Sequence, residues 1–155
     1  MEHLFERQAR LNLMKRPVHV VAYFFLVPGL IFATSAWFMP AIASVFLPIM
    51  LFCLCATAVA REIVRLRFMK SYLTPTVYQQ TVQKVARLTI IGYVVAGLIY
   101  FVMQSIPSAS GYLFGIFLFW VGGVSLGVTR LNRLAKQIDP AYVTMGEIER
   151  AWWKR

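Results

Sequence analysis

Charge is missing from two long stretches of this 155-residue chain. Between Pro17 and Arg61 there is no Asp, Glu, Lys or Arg, and residues 88–129 hold none either. Each stretch is about twice the ~20 residues with which a helix crosses ~30 Å of hydrocarbon. Each also contains a proline near its middle, Pro40 and Pro107. Hydrophobic residues make up 59% of the chain and charged residues 14%, a balance that excludes an ordinary water-soluble domain.

Other scarcities exclude chemistry. Only six carboxylates are present, and none lies inside either apolar stretch, whereas a proton-coupled carrier needs a titratable group within the membrane. A small multidrug transporter, which requires a carboxylate in its first span, is excluded on the same ground. The two cysteines, Cys53 and Cys55, stand two apart on a helix and point roughly 160° from each other, so they can neither pair nor share a metal. With His19 as the one histidine near a span and His3 distant from it, a haem held between two spans lacks its second ligand. There is no Gly-rich phosphate loop and no room for a nucleic-acid module. No enzyme, cofactor or metal is therefore expected.

What is present is lysine and arginine, sixteen in all for a net charge of +10, gathered at helix ends. Arg7, Arg10, Lys15 and Arg16 precede the first apolar stretch. Arg61, Arg65, Arg67, Lys70, Lys84 and Arg87 separate the two stretches, and Arg130, Arg133, Lys136, Arg150, Lys154 and Arg155 follow the second. The two turns, 39–44 and 104–111, have none. Because Lys and Arg are retained on the cytoplasmic side, this asymmetry predicts both termini and the central loop inside. The expected fold is an all-α integral membrane protein of a single domain, with four transmembrane helices in two hairpins at 18–39, 42–60, 88–103 and 112–128. Residues 1–16 form an interfacial segment, 61–87 a cytoplasmic basic loop and 129–155 a basic tail.

Several residues invite a role within that frame. Pro28, Gly29 and Pro48 sit inside the first two spans; each proline frees a carbonyl four residues back and predicts a kink, with Thr34 or Ser44 available to satisfy it. Glycines crowd the second hairpin, Gly92 on the third span and Gly111, Gly115, Gly122, Gly123 and Gly127 on the fourth. At small-xxx-small spacing they let helix backbones approach closely, within the chain or in an oligomer, while Phe114, Phe117, Phe119 and Trp120 turn to lipid or to a partner. Thr74-Pro75 and Asp139-Pro140 read as N-caps before a first-turn proline, starting new helices.

The clusters at Arg61, Arg65, Arg67, Arg130 and Arg133 read as contacts to anionic membrane lipids, with Glu62 pairing among the arginines beside it. Trp152 and Trp153 read as interfacial anchors, and Tyr142, Ile148 and Trp152 as a docking surface for a cytoplasmic partner.

These readings converge on a non-enzymatic scaffold or assembly subunit of a larger complex in the bacterial inner membrane, such as a secretion or conjugation apparatus. Its expected partners are anionic lipids and other membrane subunits, or copies of itself, and not nucleic acid. The alternatives are an oligomeric channel or carrier of uncharged substrate, which predicts a polar path at the prolines, and an immunity or exclusion protein that pairs with a foreign membrane helix.

Overall fold

The computed structural model describes residues 2–39, 43–106 and 110–153. The described residues form five helices and no strand: α1 Glu2–Phe38, α2 Ala43–Lys70, α3 Thr76–Ser105, α4 Ser110–Ile138 and α5 Met145–Trp153. Three of them, α1, α3 and α4, are long and apolar enough to cross a membrane. At 1.5 Å per residue α1 is about 55 Å long, well beyond the hydrocarbon thickness, so a span and a protruding arm share one continuous helix. Residues 2–16, expected as an interfacial segment, form the N-terminal part of that helix. Nothing interrupts the ladder at its boundary, because Pro17 removes one bond but its fixed φ remains helical.

Between the halves a new helix starts after Thr74-Pro75, as expected. Helix α2 continues to Lys70 and α3 begins at Thr76, so the basic loop of 61–87 is mostly helix, closed by the tight turn in which Tyr72 N–H donates to the Met69 carbonyl at 2.9 Å. Pro75 itself occupies the N-cap of α3, extended at ψ 173° and without a side-chain cap bond, so Thr74 does not cap this helix. Asp139 does not start a helix either. Its side chain accepts from Ala141 N–H at 2.9 Å in an Asx turn, and its carbonyl accepts from Tyr142 N–H at 2.9 Å. The last helix starts five residues later, where Thr144 N–H donates to Glu147 Oε2 at 3.0 Å in half of a capping box.

The helices pack in chain order. α1 lies against α2, α4 against α3, the seam between α2 and α3 joins the two hairpins, and α5 returns to α1. Burial is concentrated at the basic end. The core is Met14, Val18, Met69, Tyr78, Val82, Ala135, Tyr142, Val143 and Ile148, drawn from every helix and from the strap between α4 and α5. Among the described residues, the last buried toward the uncharged end are Gly29 on α1, Cys53 on α2 and Gly92 on α3, and α4 buries Ala135 alone. The apolar shafts expose large side chains along their length, Phe24, Phe52, Phe101 and Phe119 among them. A hydrophobic surface of this extent needs a hydrocarbon solvent or another protein.

Candidate functional site

Glycine sets two close approaches between helices. A Cβ added at Gly29 would stand 3.1 Å from Cys53 Cβ, so Gly29 lets α1 rest on α2 rather than serving as a free hinge. The described helices run unbroken through Pro28 and Pro48. Thr34 is not spent on a freed proline carbonyl; its hydroxyl donates to Leu30 and Ile31 carbonyls at 3.1 and 2.9 Å on its own helix. The Ser44 side chain lies outside the described residues. The second approach joins α3 to α4: a Cβ at Gly92 would meet Val124 Cγ1 at 2.6 Å, and one at Gly127 would meet Leu88 Cδ2 at 2.8 Å. Trp120 completes this crossing by donating Nε1–H to the Gly92 carbonyl at 3.1 Å, so it faces α3 and not lipid.

The other four glycines of α4 stand apart from that crossing. A Cβ at Gly111, Gly115, Gly122 or Gly123 would meet nothing within 4 Å, and all four are exposed. Among the described residues, the glycines at the α3–α4 crossing are thus Gly92 and Gly127.

At the basic end the scarce carboxylates are collected into one network. Five of the six, Glu6, Glu62, Asp139, Glu147 and Glu149, are ion-paired. Arg10 bridges Glu6 and Asp139 and stacks its guanidinium 4.5 Å from the Tyr72 ring centre. Glu147 takes both Arg7 and Lys136, the latter at 2.6 Å. Burial pushes the Glu147 carboxyl up, but the Lys136 bond, the Thr144 N–H and Arg7 together outweigh it and hold it below the usual carboxylate range.

Arg65 is the centre of this network and is 1% exposed. Its guanidinium pairs with Glu62 and donates to the Tyr142 hydroxyl at 2.8 Å and to the Val143 carbonyl at 3.1 Å. Tyr142 in turn donates to Asn132 Oδ1 at 2.8 Å. Arg65 is therefore not a lipid contact: at i, i+3 from Glu62 it lies on the inner face of α2, and the 139–144 strap seals it from solvent. Tyr142 and Ile148 are likewise fully buried and do not form a docking surface.

Arg61 joins Glu149 of α5 at 2.7 Å and does not pair with Glu62. Arg67, Arg130 and Arg133 remain exposed, as does Trp153. Trp152 stacks on His19 with ring centres 4.0 Å apart, while His19 Nδ1–H donates to the Lys15 carbonyl at 2.8 Å. Among the described residues no group of three His, Cys, Asp or Glu is placed to hold a metal.

No protein-family model, curated protein or solved structure matches this chain. Function has to be read from the molecule alone.

The network brings together residues that sequence reasoning left scattered. Asn132 and Glu147 carried no role there and Asp139 only that of a helix cap, although one signal was available: with so few carboxylates in the chain, their clustering at helix ends beside the cations pointed to ion pairing rather than to a bare basic surface.

Proposed function

We propose that this protein spans the bacterial inner membrane four times, with both ends cytoplasmic, and acts as a scaffold or assembly subunit of a larger membrane complex. The basic end, where every helix meets in one core, faces the cytoplasm, in keeping with retention of Lys and Arg there. Helix α2 supplies the remaining span between its pairing with α1 and with α3. The uncovered strip of Gly111, Gly115 and Gly122 on α4 is the observation that carries the reading. Small residues in hydrocarbon gain from close backbone contact with another helix, and this chain does not occupy that strip itself. Arg67, Arg130 and Arg133 then meet anionic headgroups, each contributing about 1 kcal/mol near the surface.

The channel reading finds less support. The groove beside Pro48 is walled by Leu51, Phe52, Val94, Leu98 and Phe101. The hydroxyls of Thr57, Thr89 and Thr129 all donate to carbonyls of their own helices. Purifying the tagged protein in mild detergent at native expression, with the mass and the members of the complex determined together, tests the proposal. Stoichiometric foreign membrane chains support it; a monomer with no companion chain overturns it.

A further inference from the structure

An apolar groove and a polar pocket are joined along the inner half of α2, α3 and α4. The groove, about 500 Å³, is bounded by Leu51 and Leu54 of α2, Ala96 and Gly97 of α3, and Val121 and Val124 of α4. The pocket, about 250 Å³, lies at its basic end between Arg61, Glu62, Arg65, Asn132, Met145 and Glu149. Thr89, Tyr93 and Val128 line both, so one passes directly into the other. From Asn132 to Phe117, the far wall, α4 rises about 22 Å, which takes the combined cavity from the charged boundary past the depth of one leaflet, about 15 Å. It is kept open by small residues: at Gly97 an added Cβ would meet only Cys55 Sγ, at 3.7 Å.

The charges in the pocket divide into two kinds. Arg65 and Glu62 are sealed into the internal pair, with side chains 2% and 4% exposed. Arg61 and Glu149 are 19% and 47% exposed and form the reachable pair. Arg61 also keeps its Nε buried with no hydrogen-bond partner among the described residues. The part of the guanidinium that remains exposed can donate to an anionic oxygen in the pocket. Beside it, Glu149 can accept from an ammonium group. Taken with the apolar groove beneath, the required molecule has an acyl chain, a phosphate and a primary amine.

We infer that this cavity is a binding site for one zwitterionic phospholipid of the ethanolamine type, its phosphate on Arg61, its amine on Glu149 and one acyl chain in the groove. The inference rests on the membrane placement proposed above. It distinguishes a held lipid from the annulus that wets the outer faces of α1 and α4, because walls from three helices and α5 flank it. A purely anionic headgroup satisfies Arg61 but sets a second negative charge against Glu149.

The test uses the full chain purified in mild detergent, delipidated by extended exchange, and reloaded with dioleoyl phosphatidylethanolamine or dioleoyl phosphatidylglycerol, with bound mass read by native mass spectrometry. One phosphatidylethanolamine per chain is expected, retained about tenfold over phosphatidylglycerol, a ratio equivalent to ~1.4 kcal/mol. Ala96→Phe, which fills the groove, and Arg61→Gln, which removes the phosphate donor, should each lower retention by about tenfold at unchanged helix content. Equal retention of the two lipids, or retention untouched by both substitutions, overturns the inference. Alkaline extraction of the starting membranes separates the two levels: a chain released by alkali defeats the membrane placement itself, whereas an embedded chain that holds no lipid defeats the site alone.

Discussion

Arg65 Nη1 and the Tyr142 hydroxyl meet at 2.8 Å although 77 residues separate them in the chain. The bond ties the inner end of the first hairpin to the strap that follows the second. With Glu62 on one side and Asn132 on the other, it forms a chain of four polar side chains inside an apolar core. A buried guanidinium is tolerated there only because its donors are used and its charge is matched. This arrangement adds to the α2–α3 seam in holding the two hairpins together.

Arg65→Ala should therefore be the most damaging single substitution. It leaves the Glu62 side chain unpaired at 3% exposure, and breaking a buried pair from one side costs about 3–5 kcal/mol. Tyr142→Phe removes one charge-assisted bond and should cost about 1.5–3 kcal/mol. Thermal unfolding in detergent ranks the two. The double change Arg65→Met with Glu62→Leu should recover much of the Arg65→Ala loss, and no recovery would contradict the explanation by an unpaired Glu62.

Glycine substitutions on α3 and α4 should divide into two classes. Gly92→Ala forces a methyl against Val124, whose Cγ1, Cγ2 and Cβ all lie within 3.4 Å, so that no rotation of the valine relieves the clash; about 1–3 kcal/mol of destabilisation is expected. Gly127→Ala meets only the end of a flexible leucine and should cost less. Gly115→Leu with Gly122→Leu should leave the monomer's melting temperature unchanged while releasing companion helices from the purified complex. Loss of monomer stability in that double variant would show that the strip is packed within the chain.

Acid should loosen the attachment of α5 through Glu147. Its carboxyl titrates below the ordinary value in the folded chain, so its stabilising contribution is fully present above the unfolded pKa and is lost as pH falls through the folded one. Stability should decline from about pH 4.5 downward, and Glu147→Gln should flatten that part of the profile while lowering the plateau at neutral pH. Melting curves from pH 3 to 7 decide it. An identical acid slope in the variant assigns the sensitivity to another carboxylate.

Orientation can be read by single cysteines in a chain with Cys53 and Cys55 replaced by Ala. Ser105→Cys, near the uncharged turn, should react with an impermeant maleimide added outside intact cells, and Ser71→Cys, between α2 and α3, only after permeabilisation. The reverse pattern would invert the proposed topology.

Membrane character was readable from sequence because it depends on the absence of charge over a length, a property of composition that packing does not alter. The hairpin turns were readable too, from Pro40 and Pro107, although residues 40–42 and 107–109 lie outside the described structure. At the basic end the start of α3 beside Pro75 was readable to within a residue, whereas the start of α5 was not. Thr74 and Asp139 carry the residue types of N-caps, but whether such a side chain caps a helix or closes an Asx turn depends on the path of the backbone after it. Arg61, Arg65 and Arg67 look alike in a linear basic cluster, yet one pairs with α5, one is sealed in the core and one faces outward.

By itself, the sequence determined that the chain is helical, where its apolar shafts lie, and which end of each carries the cations, since these follow from local composition and helix periodicity. Only the tertiary structure decided which glycines pack, which arginine is buried and where the carboxylates go. Those outcomes depend on the rotation of each helix about its axis and on contacts between residues far apart in the chain, and several rotations share the same apolar lengths and the same charged ends.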